Sequence, residues 1–450
     1  MAINYEQTVF PEMFTEQANI EPYWLPFSSN RKFKDNPRVI VSAEGCYYLD
    51  ADGRKIFDGL SGLWCCAFGH NRPEIAEAVN RQLLELDYSP AFQFAHPLVI
   101  EFANRIKDIT PAGLDHVFFT TSGSESVETA LKMARSYWYQ KGKPEKTRLI
   151  GRVKGYHGAN FGGISVGNIE PNRLPYGELI SADHLPHNIL PENAFSRGIP
   201  EHGIELADVL EDLISEHGAS NIAAVIVEPF AGSGGVIVPP QGYLQRLRES
   251  CNKHDILLIF DEVISGFGRT GDTFGAEYFG VFPDIMCLAK TLTNGTIPMG
   301  AVVASEMIYQ GFMETDTPEY TVEFTHGYTY SGHPVACAAG LAAMDIFEQE
   351  KLTDRVHELA PYFEDLIHGL RGTKHVTDIR NIGLAGAVQI EPVSNDPVRR
   401  PFDIGVACWE KGLYVRWAGD TLQMAPPYVC EKEQLDEAFN ILSDCIGEVA

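Results

Sequence analysis

The sequence predicts an α/β protein with a large domain, in which helices cover a mostly parallel central sheet, and a small α/β domain formed by both termini. Three observations lead to this prediction. Continuously apolar segments of strand length alternate with segments of helical periodicity, which is typical of a parallel sheet covered on both faces. The chain has 450 residues, and one hydrophobic core stops growing at roughly 250 to 300 residues. Its composition, with 44% hydrophobic and 21% charged residues, is that of an ordinary globular protein.

The first elements of the chain are short. "SSNRKFKDNP" has the composition of a loop, and "GCYYLDADGRKIFDG" predicts a β-hairpin whose Asp-Gly pair forms the turn. "HVFFT" then predicts a strand that leads into the capped helix "TSGSESVETALKMARSYWYQKG", whose apolar residues recur at helical spacing. "RLIGRVKGYHG" predicts a strand followed by a loop. These elements begin the alternation on which the fold prediction depends.

The alternation continues through the middle of the chain. The strand "NIAAVIVEPF", the helix "GYLQRLRESCNKH" and the strands "DILLIFDEV" and "DIMCLAK" follow one another. The long helix "SGHPVACAAGLAAMDIFEQE" then leaves the sheet, and shorter elements separated by Gly and Pro follow it. We therefore predict an N-terminal segment of the small domain at 1–60, a large cofactor-binding domain at 61–332 and the C-terminal small domain at 333–450.

Charge and cysteine content exclude several classes of protein. The 61 acidic and 35 basic residues give a formal net charge of −26, so we expect no nucleic-acid and no membrane partner. The nine cysteines are scattered without a C-x-x-C pair, which predicts free thiols in the cytoplasm and no zinc site. No other metal-binding motif is found, and we predict no metal. The start "MAINYEQTVFPEMFTEQ" lacks the apolar segment of a signal peptide, and no apolar run predicts a membrane span.

Charged and polar residues follow several of the predicted strands at the point where each strand ends. Asp261 ends "LLIFD", Glu228 ends "AVIVE", Lys290 ends "DIMCLAK", and "FFTTSGSES" opens into a Ser/Gly turn. Because ligands of open parallel sheets bind beyond the carboxyl ends of the strands, we expect these side chains to meet at one site.

Each of these residues also has an explanation that needs no ligand. A lone Lys290 is compatible with a surface position at the start of a helix. Ser122 and Glu125 have the spacing of a capping box, which would satisfy the first N–H groups of the helix without a phosphate. Asp261 and Glu228 could serve strand ends for local reasons only. The site hypothesis therefore rests on the combination of residues.

In combination, the residues favour a ligand with a phosphate, a cationic ring atom and an electrophilic carbon, and pyridoxal 5′-phosphate has all three. Lys290 would form a Schiff base with its aldehyde, which requires a neutral amine. Asp261 would pair with the protonated pyridine nitrogen. The helix N-terminus at Gly123 would hold the phosphate, and Tyr156 could stack on the ring.

One motif favours a different cofactor. "GFGRTG", residues 266–271, matches the G-x-G-x-x-G dinucleotide fingerprint and follows a strand. However, the required helix is not predicted, because Gly275, Gly280 and Pro283 interrupt the segment that follows and it carries no clear apolar face. We therefore keep a nicotinamide-dependent dehydrogenase only as an alternative.

Six segments in a fixed order resemble one known family. "TSGSES", "GYHG", "VEP", "LLIFDEVISGFGRTG", "CLAKTLTNG" and "HGYTYSGHP" are similar, at these separations, to the motifs of class III aminotransferases of PLP fold type I. The resemblance spans nearly the whole chain. "SGLWCCAFGH" and "GLYVRWAGDTL" are most similar to the ω-amino acid:pyruvate (β-alanine:pyruvate) aminotransferases within that family.

The resemblance implies a role for each matching residue of the cofactor site. Lys290 is the catalytic lysine that bonds to the cofactor, Asp261 is the partner of the pyridine nitrogen, and Val263 lies against the ring. The other cofactor-binding positions are Ser122, Gly123, Ser124, Tyr156, His157, Glu228 and Thr329.

Other matching residues concern the substrate and the second subunit. Thr329 resembles the threonine that reaches the phosphate of the neighbouring subunit, which implies a homodimer with shared active sites, and such dimers could pair into tetramers. Trp64 and Tyr156 would line the substrate pocket. Arg416 resembles the mobile arginine that binds a substrate carboxylate. When no carboxylate is present, Arg416 would swing out or pair with an acid, for which Glu228 is a candidate.

The activity implied by the resemblance is transfer of an amino group from an ω-amino acid or primary amine, β-alanine or longer, to pyruvate. The products are alanine and an aldehyde or oxo acid, in a ping-pong reaction in which Lys290 moves the proton. Rivals within the family are amine, diamine and 4-aminobutyrate transaminases and an aminomutase. A pyridoxal-phosphate-binding regulator without catalysis is a further alternative.

Overall fold

The computed structural model of the protein describes residues 19–449. Its strands are β1 (Ile40–Glu44), β2 (Tyr47–Asp50), β3 (Lys55–Asp58), β4 (Leu114–Thr120), β5 (Arg148–Arg152), β6 (Ala182–Leu185), β7 (Ile222–Val227), β8 (Leu257–Asp261), β9 (Ile285–Leu288), β10 (Gly300–Ser305), β11 (Val376–Ile382), β12 (Ala385–Ile390), β13 (Leu413–Tyr414), β14 (Arg416–Ala418) and β15 (Thr421–Met424). Its α-helices are α1 (Asn30–Asp35), α2 (Ser61–Trp64), α3 (Pro73–Glu85), α4 (Pro97–Ile109), α5 (Gly123–Gln140), α6 (Phe161–Val166), α7 (Val209–His217), α8 (Tyr243–Lys253), α9 (Gly275–Phe279), α10 (Glu306–Met313), α11 (Pro334–Gln349), α12 (Leu352–Gly369), α13 (Arg399–Glu410) and α14 (Lys432–Glu448).

The central sheet has seven strands in the order β4-β10-β9-β8-β7-β5-β6. Strands β6, β5, β7, β8 and β9 pair in parallel, and β10 runs antiparallel to both of its neighbours, β9 and β4. The predicted α/β class with a mostly parallel sheet is therefore confirmed. The antiparallel strand β10 was not predicted, because its sequence "GAVVAS" is short and is preceded by a loop and the 3₁₀ turn Lys290–Thr293 rather than by a long helix.

The sheet separates two hydrophobic cores. In β8, Leu258 and Phe260 belong to one core, whereas Leu257 and Ile259 belong to the other. Successive side chains of a strand point to opposite faces, so a strand covered on both faces is apolar throughout. All six residues of β7 are buried, as the continuous apolar run predicts.

Two smaller sheets contain the remaining strands. One has the order β1-β2-β3-β13, in which the hairpin β2–β3 matches the predicted hairpin and β13 pairs in parallel with β3. The other, β11-β12-β15-β14, lies entirely in the C-terminal part of the chain. Segments from both ends of the chain thus share a sheet, as expected for a small domain formed by both termini. The boundaries at 60/61 and 332/333 stay a prediction.

Two local predictions need correction. "SSNRKFKDNP" was expected to be a loop, but its centre forms the short helix α1, with no residue fully buried. The segment after "GFGRTG" was expected to contain no helix, yet α9 forms over five residues. Both helices are short, and neither has the repeated apolar spacing by which longer helices are recognised.

No helix within residues 19–449 combines the length and the apolar character that crossing a membrane requires. The prediction about a signal peptide concerns residues 1–17, which lie outside the described residues.

Candidate active site

A cavity of about 280 Å³ opens at the carboxyl ends of the central strands. Lys290 and Glu228 lie just beyond β9 and β7, Asp261 is the last residue of β8, and Ser122 lies two residues after β4. The sheet therefore brings these side chains together, as the position of ligand sites in open parallel sheets predicts. Nine of the twelve predicted site residues line the cavity, namely Ser122, Gly123, Ser124, Tyr156, His157, Glu228, Asp261, Val263 and Lys290.

Lys290 begins a 3₁₀ turn, Lys290–Thr293, directly after the buried strand β9. Its φ of 52° lies in the left-handed region, which is uncommon outside glycine and is typically retained at functional positions. Burial lowers the pKa of its ammonium group, and the positive charge of Arg416 adds to this effect. The carboxylates of Asp261 and Glu228 oppose it. The net result favours a neutral amine at the cavity.

Asp261 is buried and held by two donors. His157 Nδ1 lies 2.8 Å from Asp261 Oδ2, and the Val263 backbone N–H donates to Oδ1 at 3.2 Å. Because a carboxylate only accepts hydrogen bonds, the proton of a neutral His157 lies on Nδ1. His157 Nε2 is then a buried acceptor without a hydrogen-bond partner within residues 19–449. The role of His157 as the partner of Asp261 was not found from the sequence, since 104 residues separate the two.

The N-terminus of α5 borders the same cavity. The Ser122 hydroxyl caps the helix by accepting from the Glu125 N–H at 3.2 Å, as the capping explanation predicts. Glu125, however, accepts from the Thr121 N–H, so the reciprocal half of the capping box is absent. The first N–H groups of the helix have no acceptor within it. The structure thus combines a capped helix with N–H groups that remain able to bind an anion.

Two glycines allow the backbone to approach closely at this end of the cavity. A Cβ on Gly123 would lie 2.9 Å from Cγ1 of Val263, so any larger residue would displace that side chain. Gly158 has a φ of 92°, and a Cβ there would lie 2.5 Å from Ser124 Oγ. Ser124 Oγ also accepts from the Ala159 N–H at 3.1 Å. The loop after Tyr156 therefore packs directly on the start of α5.

Glu228 lines the cavity and is buried, with 4% of its surface exposed. Burial raises its pKa to about 7, and Asp261 adds to this effect, whereas His157 and Arg152 oppose it. Its nearest donor is the Tyr156 backbone N–H, at 3.4 Å from Oε2. Glu228 is thus a carboxyl group that can change its charge near neutral pH.

Three predicted residues do not line the cavity. Trp64 is buried in the kinked turn α2, and Thr329 is exposed, with its carbonyl accepting from the Tyr88 hydroxyl. Arg416 lies on β14, and its positive charge acts to lower the pKa of Lys290 and of Tyr156. It forms no ion pair within the described chain. The expected pair between Arg416 and Glu228 is therefore not formed in this structure.

A group of lining residues that follow Lys290 was not predicted from the sequence. Gly295, Ile297, Pro298 and Met299 all contribute to the cavity. They belong to the contiguous segment "TLTNGTIPMG". The Asn294 side chain in this segment accepts from the Phe68 N–H and donates to the Gly69 carbonyl, which ties it to the loop after α2. The Gly and Pro of the segment were a usable signal for a loop at the site.

The structure also argues against a dinucleotide at "GFGRTG". The N-terminus of α9, which a pyrophosphate would need, already binds the carboxylate of Glu262, which accepts from the N–H groups of Gly275 and Ala276. Arg269 within the motif is buried and donates to the carbonyls of Leu384 and Pro426. This loop connects the large sheet to the C-terminal part of the chain. Within residues 19–449, no cluster of three metal-ligating side chains is found.

Comparisons with known proteins agree with this geometry. A family model described as aminotransferase class-III matches residues 28–446. An omega-amino acid–pyruvate aminotransferase from Pseudomonas putida is 57% identical over 435 residues, which cover 96% of each chain. A beta-alanine–pyruvate aminotransferase from Pseudomonas aeruginosa is 56% identical over 449 residues, which cover 100% of both chains.

Solved structures give the same result. The PLP-bound form of an amine transaminase from an uncultivated Pseudomonas species matches with a TM-score of 0.89 and 36% identity. The match covers 95% of this chain and 99% of that chain. The predicted transaminase fold is thereby confirmed, and the protein belongs to the class-III aminotransferase family.

Proposed function

We propose that this aminotransferase uses pyridoxal 5′-phosphate to transfer an amino group from an ω-amino acid or primary amine to pyruvate. One observation carries the proposal: the amine of Lys290, with its lowered pKa, shares a cavity with the buried Asp261–His157 pair and the N-terminus of α5. The likeness to relatives named for ω-amino acids, β-alanine and pyruvate supports the substrate assignment.

The residues fit this cofactor. The N–H groups at Gly123 and Ser124, at the positive end of the α5 dipole, would hold its phosphate. The Asp261 carboxylate would keep the ring nitrogen protonated, and His157 fixes the position of that carboxylate through the 2.8 Å hydrogen bond. Val263 would lie against the ring, because its Cγ1 is 2.9 Å from the position that a Cβ on Gly123 would occupy at this end of the cavity.

When bound, pyridoxal phosphate supplies an aldehyde that exchanges amino groups and a ring that accepts electrons. Lys290 would supply the amine that holds this aldehyde and the base that takes the proton from the donor carbon. Its lowered pKa favours the neutral form that this role needs. Because the same nitrogen can return the proton, one residue serves both directions of transfer.

Substrate recognition is proposed to involve Trp64, Tyr156 and Arg416. Tyr156 lines the cavity, whereas Arg416 lies close enough to alter the pKa of both Tyr156 and Lys290. A guanidinium without an ion-pair partner in the described chain is suited to bind the carboxylate of pyruvate. An amine donor without a carboxylate would need Arg416 to turn away.

We propose that the enzyme is a homodimer with shared active sites, in which Thr329 reaches the partner's phosphate. Exposed aromatic side chains lie beside this threonine: Tyr330, the next residue, is 58% exposed, and Tyr88, whose hydroxyl donates to the Thr329 carbonyl, is 40% exposed. Apolar surface of this extent is typical of a contact with another chain. Pairing of dimers into tetramers remains part of the same hypothesis, as does a cytoplasmic location.

A panel of amine donors tests the proposal. The protein, supplemented with cofactor, is assayed with β-alanine, longer ω-amino acids, 4-aminobutyrate, a diamine and an arylalkylamine, each with pyruvate and with 2-oxoglutarate. We expect alanine to form fastest from β-alanine or a longer ω-amino acid with pyruvate. Preference for the arylalkylamine would instead favour an amine transaminase, which the likeness to one such structure supports. Failure of every donor would refute the proposed activity.

A further inference from the structure

Two adjacent cysteines, Cys65 and Cys66, directly follow the kinked turn α2. Both are partly exposed, whereas the other seven cysteines of the protein are buried. Their Sγ atoms lie 3.8 Å apart. The pair has no part in the proposed transamination, and its accessibility separates it from every other thiol in the chain.

The pair lies against the wall of the active-site cavity. Gly295 lines that cavity, and a Cβ placed on it would lie 3.0 Å from Cys65 Sγ and 3.2 Å from Cys66 Sγ. Lys290 is near enough that its charge acts on Cys65. A group bonded to both sulfur atoms would therefore extend toward Gly295 and the amine of Lys290.

The backbone that carries the pair is held in a fixed shape. The N–H groups of Cys65 and Cys66 both donate to the Ser61 carbonyl, at 2.8 and 2.9 Å. Asp58 accepts from the Gly62 N–H at 2.6 Å and lies 2.7 Å from His70 Nε2. Because these hydrogen bonds fix the loop, the two sulfur atoms are already close together before a ligand binds.

The electrostatic environment makes the two thiols unequal. The hydrogen bond from the Cys66 thiol and the positive charge of Lys290 lower the pKa of Cys65, while burial and the Asp58 carboxylate oppose this. The same hydrogen bond raises the pKa of Cys66. A thiolate is the reactive form of cysteine, so Cys65 is the first nucleophile and Cys66 the second.

We propose that Cys65 and Cys66 form a dithiol modification site that captures trivalent arsenicals and thereby closes the active site. In the reaction, an organoarsenic(III) oxide forms two As–S bonds and its oxygen leaves as one molecule of water with the two thiol protons. No electron transfer is involved. After Cys65 has reacted, Cys66 is present at an effective concentration of about millimolar or above, as for other short tethers. Binding through both sulfurs is therefore much tighter than binding through either alone.

The second pair of interacting cysteines provides a matched control. Cys408 and Cys445 also share a hydrogen bond, but both are buried in the hydrophobic core. They test whether proximity of two thiols is sufficient or whether accessibility at the cavity is also required.

The experiment treats the reduced, cofactor-loaded enzyme with one equivalent of phenylarsine oxide and follows intact mass and transaminase rate. We expect one phenylarsenic group per chain, bound with loss of water, and a fall in rate of about tenfold or more, because the bound group would lie against Gly295 and obstruct the cavity. A dithiol such as dimercaptopropanol should restore the rate, whereas an equal amount of mercaptoethanol should not. Cys65→Ser and Cys66→Ser should each lose stable capture, and Cys408→Ser should behave as the wild type. Each rate is compared with that of the same untreated variant.

Capture that persists in both single serine variants, or that maps to Cys408 and Cys445, would overturn the proposal. Stable capture at Cys65 and Cys66 without loss of rate would overturn the claim that the adduct closes the site. Alanine variants at both positions repeat the comparison if a serine variant folds poorly. The mass measurement does not depend on transamination, so failure of the proposed function and failure of this inference are distinguishable.

Discussion

Replacement of Glu228 by Gln tests whether this buried carboxyl group carries a variable charge. Burial raises its pKa from 4.5 to about 7. Between these two values the folded protein binds more protons than the unfolded chain, so folding stability falls as pH rises through this window. Glu228→Gln removes the ionisation but retains an oxygen that can accept from the Tyr156 N–H. The variant should therefore gain stability relative to the wild type as pH increases.

The size of the effect follows from the shift in pKa. One pKa unit corresponds to about 1.4 kcal/mol, so the shift from 4.5 to about 7 corresponds to about 3 kcal/mol over the full window. About 2 kcal/mol of this difference falls between about pH 5.5 and about pH 8.5. Effects of the substitution that do not involve ionisation are the same at both pH values and cancel from the comparison.

Urea unfolding of the cofactor-loaded wild type and variant, with cofactor in fixed excess, measures the difference at both pH values. Glu74→Gln is the control, since a hydrogen bond from Arg72, whose guanidinium does not titrate in this range, lowers the pKa of Glu74. Its contribution is lost only as pH falls below about 4.5, so its variant should show a pH-independent loss in this range. If the difference in unfolding free energy between the wild type and Glu228→Gln is also the same at both pH values, burial does not raise the pKa of Glu228.

Four further predictions concern the proposed site. Lys290→Ala should abolish alanine formation from pyruvate while the cofactor, followed by its absorbance, still binds; a near-wild-type rate would exclude Lys290 as the base. Asp261→Asn should lower kcat by about a hundredfold, as loss of a preorganised charge does, and unchanged kcat would remove its assigned role. Arg416→Ala should raise the KM of pyruvate by roughly tenfold or more but leave that of a simple amine nearly unchanged, and equal losses would contradict carboxylate binding. Gly123→Ala should weaken cofactor binding in a titration, because its Cβ would lie 2.9 Å from Val263; unaltered affinity would show that Val263 can move.

The central sheet and the residues at its strand ends could be predicted because the signals are local. A continuously apolar strand such as β7 or β9 is recognisable by itself, and the polar residue that ends it then has a known position at the edge of the sheet. The capping role of Ser122 was likewise encoded by neighbouring residues.

Features that depend on distant parts of the chain could not be predicted in this way. The hydrogen bond between His157 and Asp261 joins the loop after β5 to the end of β8 across 104 residues of sequence, and no periodicity predicts it. Strand β10 runs antiparallel to β9 because the segment after Lys290 reverses the direction of the chain. The composition of that segment does not predict the reversal. The helix α1 was missed because six residues are too few to show an apolar period.

The proposed division of the site between the sheets has a consequence for engineering. Groups assigned to the cofactor lie at or after the ends of β4, β5, β7, β8 and β9, whereas Arg416 comes from one peripheral sheet and Trp64 from the segment that follows the other. Substrate preference can then be altered by mutagenesis of these outer segments, while the side chains of the central strands are left unchanged. Libraries aimed at new amines should diversify residues 61–66 and 414–418 before any position on the central strands.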